Sequence, residues 1–453
     1  MNDHLDRRLR RLELTQWALL ALVATLLVDL AVRLAPGALP QQVQAALADR
    51  ATLVDPAARK NCFYFSTLEL PAGLRDQAAR VLAFTNASAS PEQILDHQRP
   101  VQVTPTLWRV DVRALGWSRH DLAHVAKGYP YRAVPFSLVC RADWWIRPVL
   151  DAAATDAYYR LLYGRGQIPR TRDEFLAHWN VAPDPIYQVG QVEGASRVSQ
   201  TGIRWVENRP TPRGYAWGTR DVREIKRGAD PLAALAGEFV HDGEEWIVGI
   251  PKIHLASGQR STAQVYLLTD GRGAKIDKAD GDLVEDHTRF LGLPQIRTAG
   301  SCIQCHRLGI KPLHVNALAR LIVAGVDVYA DHPDQESLER FHLAQLAGWI
   351  ARNQQDYAAF TQTVAGYRPA TCSRAVRALV NYYVAPVTIE RAALELASTP
   401  AELQLALGWA SGQGAQMGPR LPGLAHGVPL PRTAWEDDYT TAAAALAVWR
   451  TRG

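Results

Sequence analysis

The chain has 453 residues, of which 47% are hydrophobic and 21% are charged, and its formal net charge is +5. This composition excludes a disordered chain and is typical of a folded protein with two or three domains. Lysine occurs only seven times, so arginine supplies 43 of the 50 basic residues. These arginines are scattered and form no basic block with aromatic residues, so we expect no nucleic acid partner.

The N-terminal residues have the pattern of an export signal. Four arginines in residues 1–12 precede an apolar stretch over residues 14–32. In a helix, these nineteen residues reach roughly 28 Å, which is close to the hydrocarbon thickness of a bilayer. The pattern predicts a cytoplasmic basic segment over 1–12 and a transmembrane anchor helix over 13–33, with the bulk of the chain in the periplasm at the inner membrane.

Two alternatives for this N-terminal segment stay open. The strictly apolar core, residues 17–28, has only twelve residues, which suits the central region of a cleaved signal peptide. A soluble N-terminal helix is the other alternative. Both the anchor and the cleaved signal predict an exported protein.

The rest of the chain divides into four predicted regions, and the predicted fold class is α+β. Residues 34–58 contain several prolines and read as a juxtamembrane connector. A mixed α+β region is predicted over 59–184, a β-rich region over 185–295 and a mostly helical region over 296–453.

Local patterns support this division. Capping residues followed by proline and by glutamine or glutamate predict helix starts, and Asp-Gly turns between apolar runs predict hairpins. In chain order, the patterns predict a helix start at 90–93, a strand over 107–112, helices over 157–162 and 172–179, hairpins joining 239–240 to 246–248 and 265–268 to 274–276, and a helix start at 399–402.

The decisive motif is Cys302-Ile303-Gln304-Cys305-His306. Two thiols at this spacing reach both vinyl groups on one side of a porphyrin, and the adjacent imidazole ligates the iron. The motif predicts one covalently bound haem c, with His306 as the metal ligand, so the region 296–453 becomes a helical c-type haem region. Export agrees with this prediction, because c-type haem is attached outside the cytoplasm in bacteria.

Two other types of site use a CxxC pair. A zinc site needs a second CxxC or a histidine pair, and Cys372 alone does not supply one. A thioredoxin-like dithiol opens a helix after a strand, whereas Gly309 and Pro312 interrupt the chain soon after the motif. Haem is therefore the preferred interpretation.

The second axial ligand of the iron stays open at the sequence level. Met417 lies in a Gly/Pro segment downstream of the motif, where cytochromes often place their methionine ligand. His241 lies in the first predicted hairpin turn and is another candidate. The remaining possibilities are a histidine nearer to the motif (His314, His332 or His342) or an open position.

Other residue groups are weaker candidates. Asp282, Glu285, Asp286 and His287 form a charged cluster that suits a metal, but we expect a solvated turn there. Asp173, Glu174 and His178 have helical spacing and are expected on an exposed helix face. Cys62 and Cys140 are open to a disulfide in an oxidising compartment, with free thiols as the alternative.

The chain resembles a group of bacterial membrane-associated or exported proteins that carry a single c-type haem motif and have no assigned activity. The resemblance rests on EFVHDGEE at 238–245, VYLLTDGRG at 265–273, and the haem motif with Gly309, in this order. It extends from about Tyr64 to Glu436. It implies a functional assignment for Cys302, Cys305 and His306 only.

The predicted function is electron transfer by a membrane-anchored periplasmic monohaem c-type cytochrome, with the membrane and redox proteins as partners. We see no catalytic set, so an enzyme is the less favoured interpretation. The alternatives are a peroxidase-like haem oxidoreductase with an open distal site and a haem-based redox or ligand sensor.

Overall fold

The computed structural model describes residues 41–131, 139–164, 167–191, 204–212, 214–221, 242–279, 281, 284–286, 289–312, 320–323, 326–327, 335–412 and 420–452. The α-helices in these ranges are α1 (Gln41–Thr52), α2 (Pro56–Asn61), α3 (Ala72–Ser88), α4 (Arg119–Ala126), α5 (Ala142–Leu150), α6 (Ala157–Tyr163), α7 (Arg172–His178), α8 (Gly300–Cys305), α9 (Gln335–Ala365), α10 (Pro369–Val384), α11 (Ile389–Glu395), α12 (Pro400–Gly412), α13 (Leu421–Ala425) and α14 (Arg432–Arg450). Short 3-10 helices cover Val112–Leu115 and Phe290–Gly292.

The strands form two sheets. They are β1 (Cys62–Ser66), β2 (Val101–Thr104), β3 (Leu107–Asp111), β4 (Val139–Arg141), β5 (Tyr187–Gln191), β6 (Arg204–Pro210), β7 (Tyr215–Asp221), β8 (Gly243–His254), β9 (Gln259–Asp270), β10 (Lys275–Ile276), β11 (Arg320–Val323) and β12 (Val326–Asp327).

The smaller sheet has the strand order β2-β3-β1-β4. β1 runs antiparallel to β3 and parallel to β4, which places Phe65 opposite Trp108 on one side and Cys140 on the other. Helices α3 and α5 pack against each other near this sheet. The ring of Trp145 on α5 lies 5.4 Å from that of Phe65, so aromatic contacts join the helix to the sheet.

The larger sheet is antiparallel and has the order β10-β9-β8-β7-β6-β5-β11-β12. β5 to β10 follow one another as a meander, and β8 and β9 pair along twelve residues each. The long helix α9 packs on β9 and on α3. Most buried apolar side chains form one core that runs through both sheets and the surrounding helices.

Several sequence predictions are confirmed. The predicted strand at 107–112 is β3, the predicted helices at 157–162 and 172–179 are α6 and α7, and the second predicted hairpin is the β9–β10 pair. The capping pattern at 399–402 starts α12, where Thr399 Oγ1 accepts a hydrogen bond from the backbone N–H of Glu402 at 3.1 Å.

The predicted helix start at 90–93 is wrong, because this segment pairs with the end of β8 instead. The backbone N–H of Ile253 donates to Gln93 O at 2.8 Å, and Leu95 N–H donates to Ile253 O at 2.9 Å. The buried ammonium group of Lys252 donates to Ser90 O at 2.8 Å. These tertiary hydrogen bonds outweigh the local capping signal.

The predicted fold class is corrected in one respect. The chain is α+β, but no helix among the described residues is long and apolar enough to cross a membrane. The anchor helix in the predicted architecture is therefore contradicted. Residues 1–12 and 13–33 themselves lie outside the described residues.

Two other regions differ in detail from their predicted character. The described part of the connector is largely helical, since α1 and α2 occupy it, and Ala46 of α1 is fully buried in a small cluster with Tyr64 and Leu107. The region 296–453 contributes β11 and β12 to the larger sheet as well as its helices. Residues 239–240 of the first predicted hairpin lie outside the described residues, and β8 pairs with β7 and β9.

Candidate functional site

The two cysteines of the motif lie on the short helix α8, and close packing holds the first residue of this helix in place. The helix is preceded by Ala299, whose φ of 72° is uncommon for a residue with a side chain. Gly300 packs so closely that a Cβ atom there would overlap the ring of Phe290 and lie 2.6 Å from Leu150 O. Only glycine therefore fits at the start of this helix.

Polar contacts hold the two ends of α8. Before the helix, Arg297 Nη1 donates to both carboxylate oxygens of the buried Asp151 at 2.8 Å. Within the helix, Gln304 Nε2 donates to Ser373 O at 3.0 Å, and Ser373 Oγ donates back to Gln304 Oε1 at 2.8 Å. This reciprocal pair fastens the motif to α10.

The three motif residues differ in exposure. Cys302 is 1% exposed, Cys305 is partly exposed, and His306, directly after the helix, is 8% exposed. The backbone N–H of His306 donates to Cys302 O at 2.7 Å and so continues the helical turn. The backbone position from which the imidazole projects is therefore set by the same helical turn that carries the two cysteines.

The imidazole of His306 faces β8. Its Nε2 atom lies 3.3 Å from Glu245 Oε2, and its ring centroid lies 6.3 Å from that of Tyr266 on β9. Among the described residues, Nδ1 of this buried ring has no hydrogen-bond partner. The carboxylate of Glu245 thus contacts the nitrogen at the tip of the ring.

The charges around Glu245 favour its ionised form. Burial alone would raise the pKa of this carboxyl, but the neighbouring His306, Arg204 and Lys311 outweigh burial and lower the pKa to about 2. Glu245 is therefore an anion across the physiological range of pH. A cation or a metal ion is the complementary neighbour for such a group.

The two thiols are not set up for thiolate chemistry. Burial and then the charge of Glu245 raise the pKa of the Cys302 thiol well above its ordinary value. Burial also raises the pKa of Cys305, although Lys311 Nζ lies 3.4 Å from its sulfur and opposes that effect. A reactive dithiol needs a lowered thiol pKa, so this geometry disfavours the dithiol alternative.

Both thiols and Glu245 line one cavity with a volume of about 430 Å³. Part of its wall is apolar, and basic side chains also lie on its lining. The lining includes Leu268, Ile276, Ala279, Val284 and Ile296 among apolar residues, and Arg204, Lys278 and Lys311 among basic residues. A ligand pocket commonly combines such an apolar wall with a few polar groups.

These residues fit a c-type haem. Cys302 and Cys305 face the same cavity, the apolar wall suits a porphyrin face, and basic groups suit the haem carboxylates. His306 is not part of the lining, but its Nε2 atom lies 3.3 Å from Oε2 of Glu245, which is part of it. If haem is bound, Cys302, Cys305 and His306 are the residues that hold it.

Only one of the sequence candidates for the second iron ligand lies among the described residues. Met417, His241, His314 and His332 lie outside the described residues. His342 lies on α9, where its ring centroid is 6.2 Å from that of Tyr187.

The weaker candidates are resolved in part. Asp286 is only 2% exposed, and its Oδ2 accepts a hydrogen bond from the N–H of Phe290 at 3.2 Å, so it is not in the solvated turn that was expected. Asp282 and His287 lie outside the described residues, whereas Asp173, Glu174 and His178 are exposed as predicted. Within the described part of the chain, no group of three or more potential ligand side chains is arranged to hold a metal ion. All five cysteines have free thiols.

Glu245 is the site residue that sequence reasoning missed. It is 61 positions from His306, and only the pairing of β8 with β7 and β9 brings it to α8. Glu245 follows a predicted Asp-Gly turn, and no motif distinguishes its carboxylate from that of the neighbouring Glu244.

No protein-family model, curated protein or solved structure matches this chain.

Proposed function

We propose that this protein is a c-type cytochrome that binds one haem covalently and carries one electron between redox partner proteins. The observation that supports it is the common direction of the two motif thiols. Cys302 and Cys305 line one partly apolar cavity, and His306 follows them at the end of the same short helix. When bound, haem supplies an iron centre that changes its oxidation state by one electron.

The protein's own residues would position the cofactor and exclude water from it. The thiol of Cys302 is buried and that of Cys305 is partly exposed. The porphyrin edge that bonds to Cys305 would therefore lie nearer to the surface. Such an edge is the natural point for electron exchange with a partner protein.

The surface beside this edge has a positive charge and an exposed apolar side chain. Arg307 directly follows the motif and is exposed, Leu308 is 55% exposed, and Lys311 contacts the Cys305 sulfur. A small apolar patch with basic neighbours suits transient docking of an acidic redox partner.

The proposal includes an exported location, because covalent haem attachment takes place outside the cytoplasm in bacteria. A peroxidase-like haem oxidoreductase is the second candidate. It is favoured by the position of Glu245 on the cavity lining, where its ionised carboxylate would accept a hydrogen bond from a bound peroxide. The two candidates differ in their reaction with peroxide: the oxidoreductase would turn it over repeatedly, and the electron carrier would not.

Electron exchange with small charged reagents tests the proposed function. In the haem-loaded protein, Arg307→Glu should slow reaction with the anion ferricyanide and speed reaction with a cationic ruthenium ammine complex, because the charge near the exposed edge is reversed. Stopped-flow rates measure both effects. Arg119→Glu, at an exposed position on α4, is the matched control and should change both rates less.

Two results would contradict this proposal. Equal rate changes for Arg307→Glu and Arg119→Glu would mean that electrons do not leave near Cys305. Sustained turnover of peroxide, together with poor reversibility of the one-electron reduction in a potentiometric titration, would favour the oxidoreductase.

A further inference from the structure

The ring nitrogen of His306 that would ligate iron is already in contact with another group. Nε2 lies 3.3 Å from Glu245 Oε2, at the tip of the imidazole. In c-type haem proteins the histidine of the motif ligates the iron. The carboxylate of Glu245 therefore lies where an iron ion bound to His306 would have to lie.

The backbone of Glu245 is fixed on a central strand. Glu245 pairs with Thr219 of β7 on one side and with Leu268 of β9 on the other. Thr219 Oγ1 also lies 3.4 Å from the carbonyl oxygen of Glu245. Only the side chain is free to move when a ligand enters the cavity.

The movement that iron binding would require of the carboxylate is short. A separation of 3.3 Å is too small for two ligands on opposite sides of one metal ion, since each metal–ligand bond is about 2 Å long. The carboxylate must therefore withdraw from His306 by a small distance. Since the backbone of Glu245 is held in the sheet, this withdrawal has to come from rotation of its side chain.

We propose that Glu245 is the second axial ligand of the haem iron, opposite His306. This inference rests on the proposed binding of haem by the motif. An anionic oxygen ligand favours the ferric state and lowers the reduction potential relative to a methionine ligand, which raises it. The protein is then a low-potential electron carrier with both axial positions filled.

Replacing Glu245 in the haem-loaded full-length chain tests this assignment. Glu245→Met should raise the reduction potential and introduce the far-red absorption of a methionine–iron bond, and Glu245→Gln should shift the ferric optical and EPR spectra. Glu245→Ala leaves the position to water. If the carboxylate occupies it for about 90% of the time, cyanide binding should become roughly tenfold tighter in Glu245→Ala.

The control is Asp242→Asn, which removes a carboxylate from the same cavity without altering Glu245. It should change the EPR spectrum and the affinity for cyanide much less than Glu245→Gln does, because Glu245 is the carboxylate that lies against Nε2 of His306. An equal effect of Asp242→Asn and Glu245→Gln would overturn the assignment, because it would reveal a general effect of charge.

Other outcomes separate this inference from the proposed function. The ligand assignment alone would be overturned if the Glu245 variants bind haem covalently in full and have the same ferric spectra and cyanide affinity as the wild type. Loss of the axial ligand in Met417→Ala or His241→Ala would overturn it as well. The wild type alone also decides: a methionine–histidine or bis-histidine low-spin EPR spectrum rejects Glu245. A wild-type chain that attaches no haem refutes the proposed function and this inference together.

Discussion

Lys252 is completely buried near the end of β8, and its ammonium group bonds to backbone carbonyls. Nζ donates to Ser90 O and to Glu92 O and so pins the segment that runs beside the strand. Burial lowers the pKa of this lysine to about 7, with Glu92 acting in the opposite direction. The charged form is therefore destabilised in the folded protein relative to the unfolded chain.

This pKa makes folding stability depend on pH. Between pH 7 and about 10.4, the unfolded chain holds a proton on Lys252 that the folded protein has released. The free energy of unfolding of the wild type should therefore rise with pH, relative to Lys252→Met, by at most about 1.4 kcal/mol per pH unit. Below pH 7 both states bind the proton, and the difference should be constant.

Urea unfolding of both proteins from pH 6 to pH 10 measures this difference. Lys60→Met removes an exposed lysine and controls for the change in net charge. Curves for the wild type and Lys252→Met that stay parallel throughout this range would show that Lys252 is protonated in both states.

The residues of the site differ in how far the sequence predicts them. Cys302, Cys305 and His306 are nearly adjacent in sequence, so their spacing alone carries a chemical hypothesis. Glu245 reaches the same site only through strand register, and a carboxylate on a strand has no pattern that marks it. The burial of Lys252 could not be predicted from the sequence either, because lysine is almost always exposed.

At the scale of elements, local capping signals succeed where no competing contact exists. The pattern at 399–402 starts α12, and the hydroxyl of Thr399 accepts the expected hydrogen bond. The similar pattern at 90–93 fails, because Gln93 and Leu95 bond to Ile253 and Ser90 bonds to Lys252. Sequence patterns report local preference, and long-range hydrogen bonds decide the outcome where they are available.

The close packing of the start of α8 against Phe290 and Leu150 depends on Gly300. Gly300→Ala should destabilise the protein by about 1–3 kcal/mol, because the added methyl group meets the ring of Phe290 and the carbonyl of Leu150. Urea unfolding measures the change. Gly408→Ala is the matched control: Gly408 is exposed within α12 with nothing within 4 Å of a Cβ atom, so this change should stabilise by about 0.5–1 kcal/mol.

The test is that the two substitutions change the free energy of unfolding in opposite directions. If Gly300→Ala stabilises the protein as much as Gly408→Ala does, the start of α8 is not closely packed, and the motif is held less rigidly than its contacts with Phe290 and Ser373 imply.

At the scale of the whole molecule, the site joins parts that are distant in sequence. The cavity lies between α8, the strands β8 and β9, and the segment between β10 and the 3-10 helix. The α+β class and the β-rich middle region could be predicted from alternation and turns. The eight-strand order could not, because β11 and β12 come from a region whose composition favours helices.

Covalent attachment of haem tests the central claim most directly. The chain is produced with a c-type maturation system, and its mass and its denatured haem absorption are measured after acid–acetone extraction. The wild type should retain one haem per chain, whereas Cys302→Ala with Cys305→Ala should retain none after extraction. Cys372→Ala, which removes a buried cysteine outside the motif, should retain one haem. A wild-type chain without covalent haem, or full retention in the double variant, would contradict the assignment of Cys302, Cys305 and His306 as a haem site.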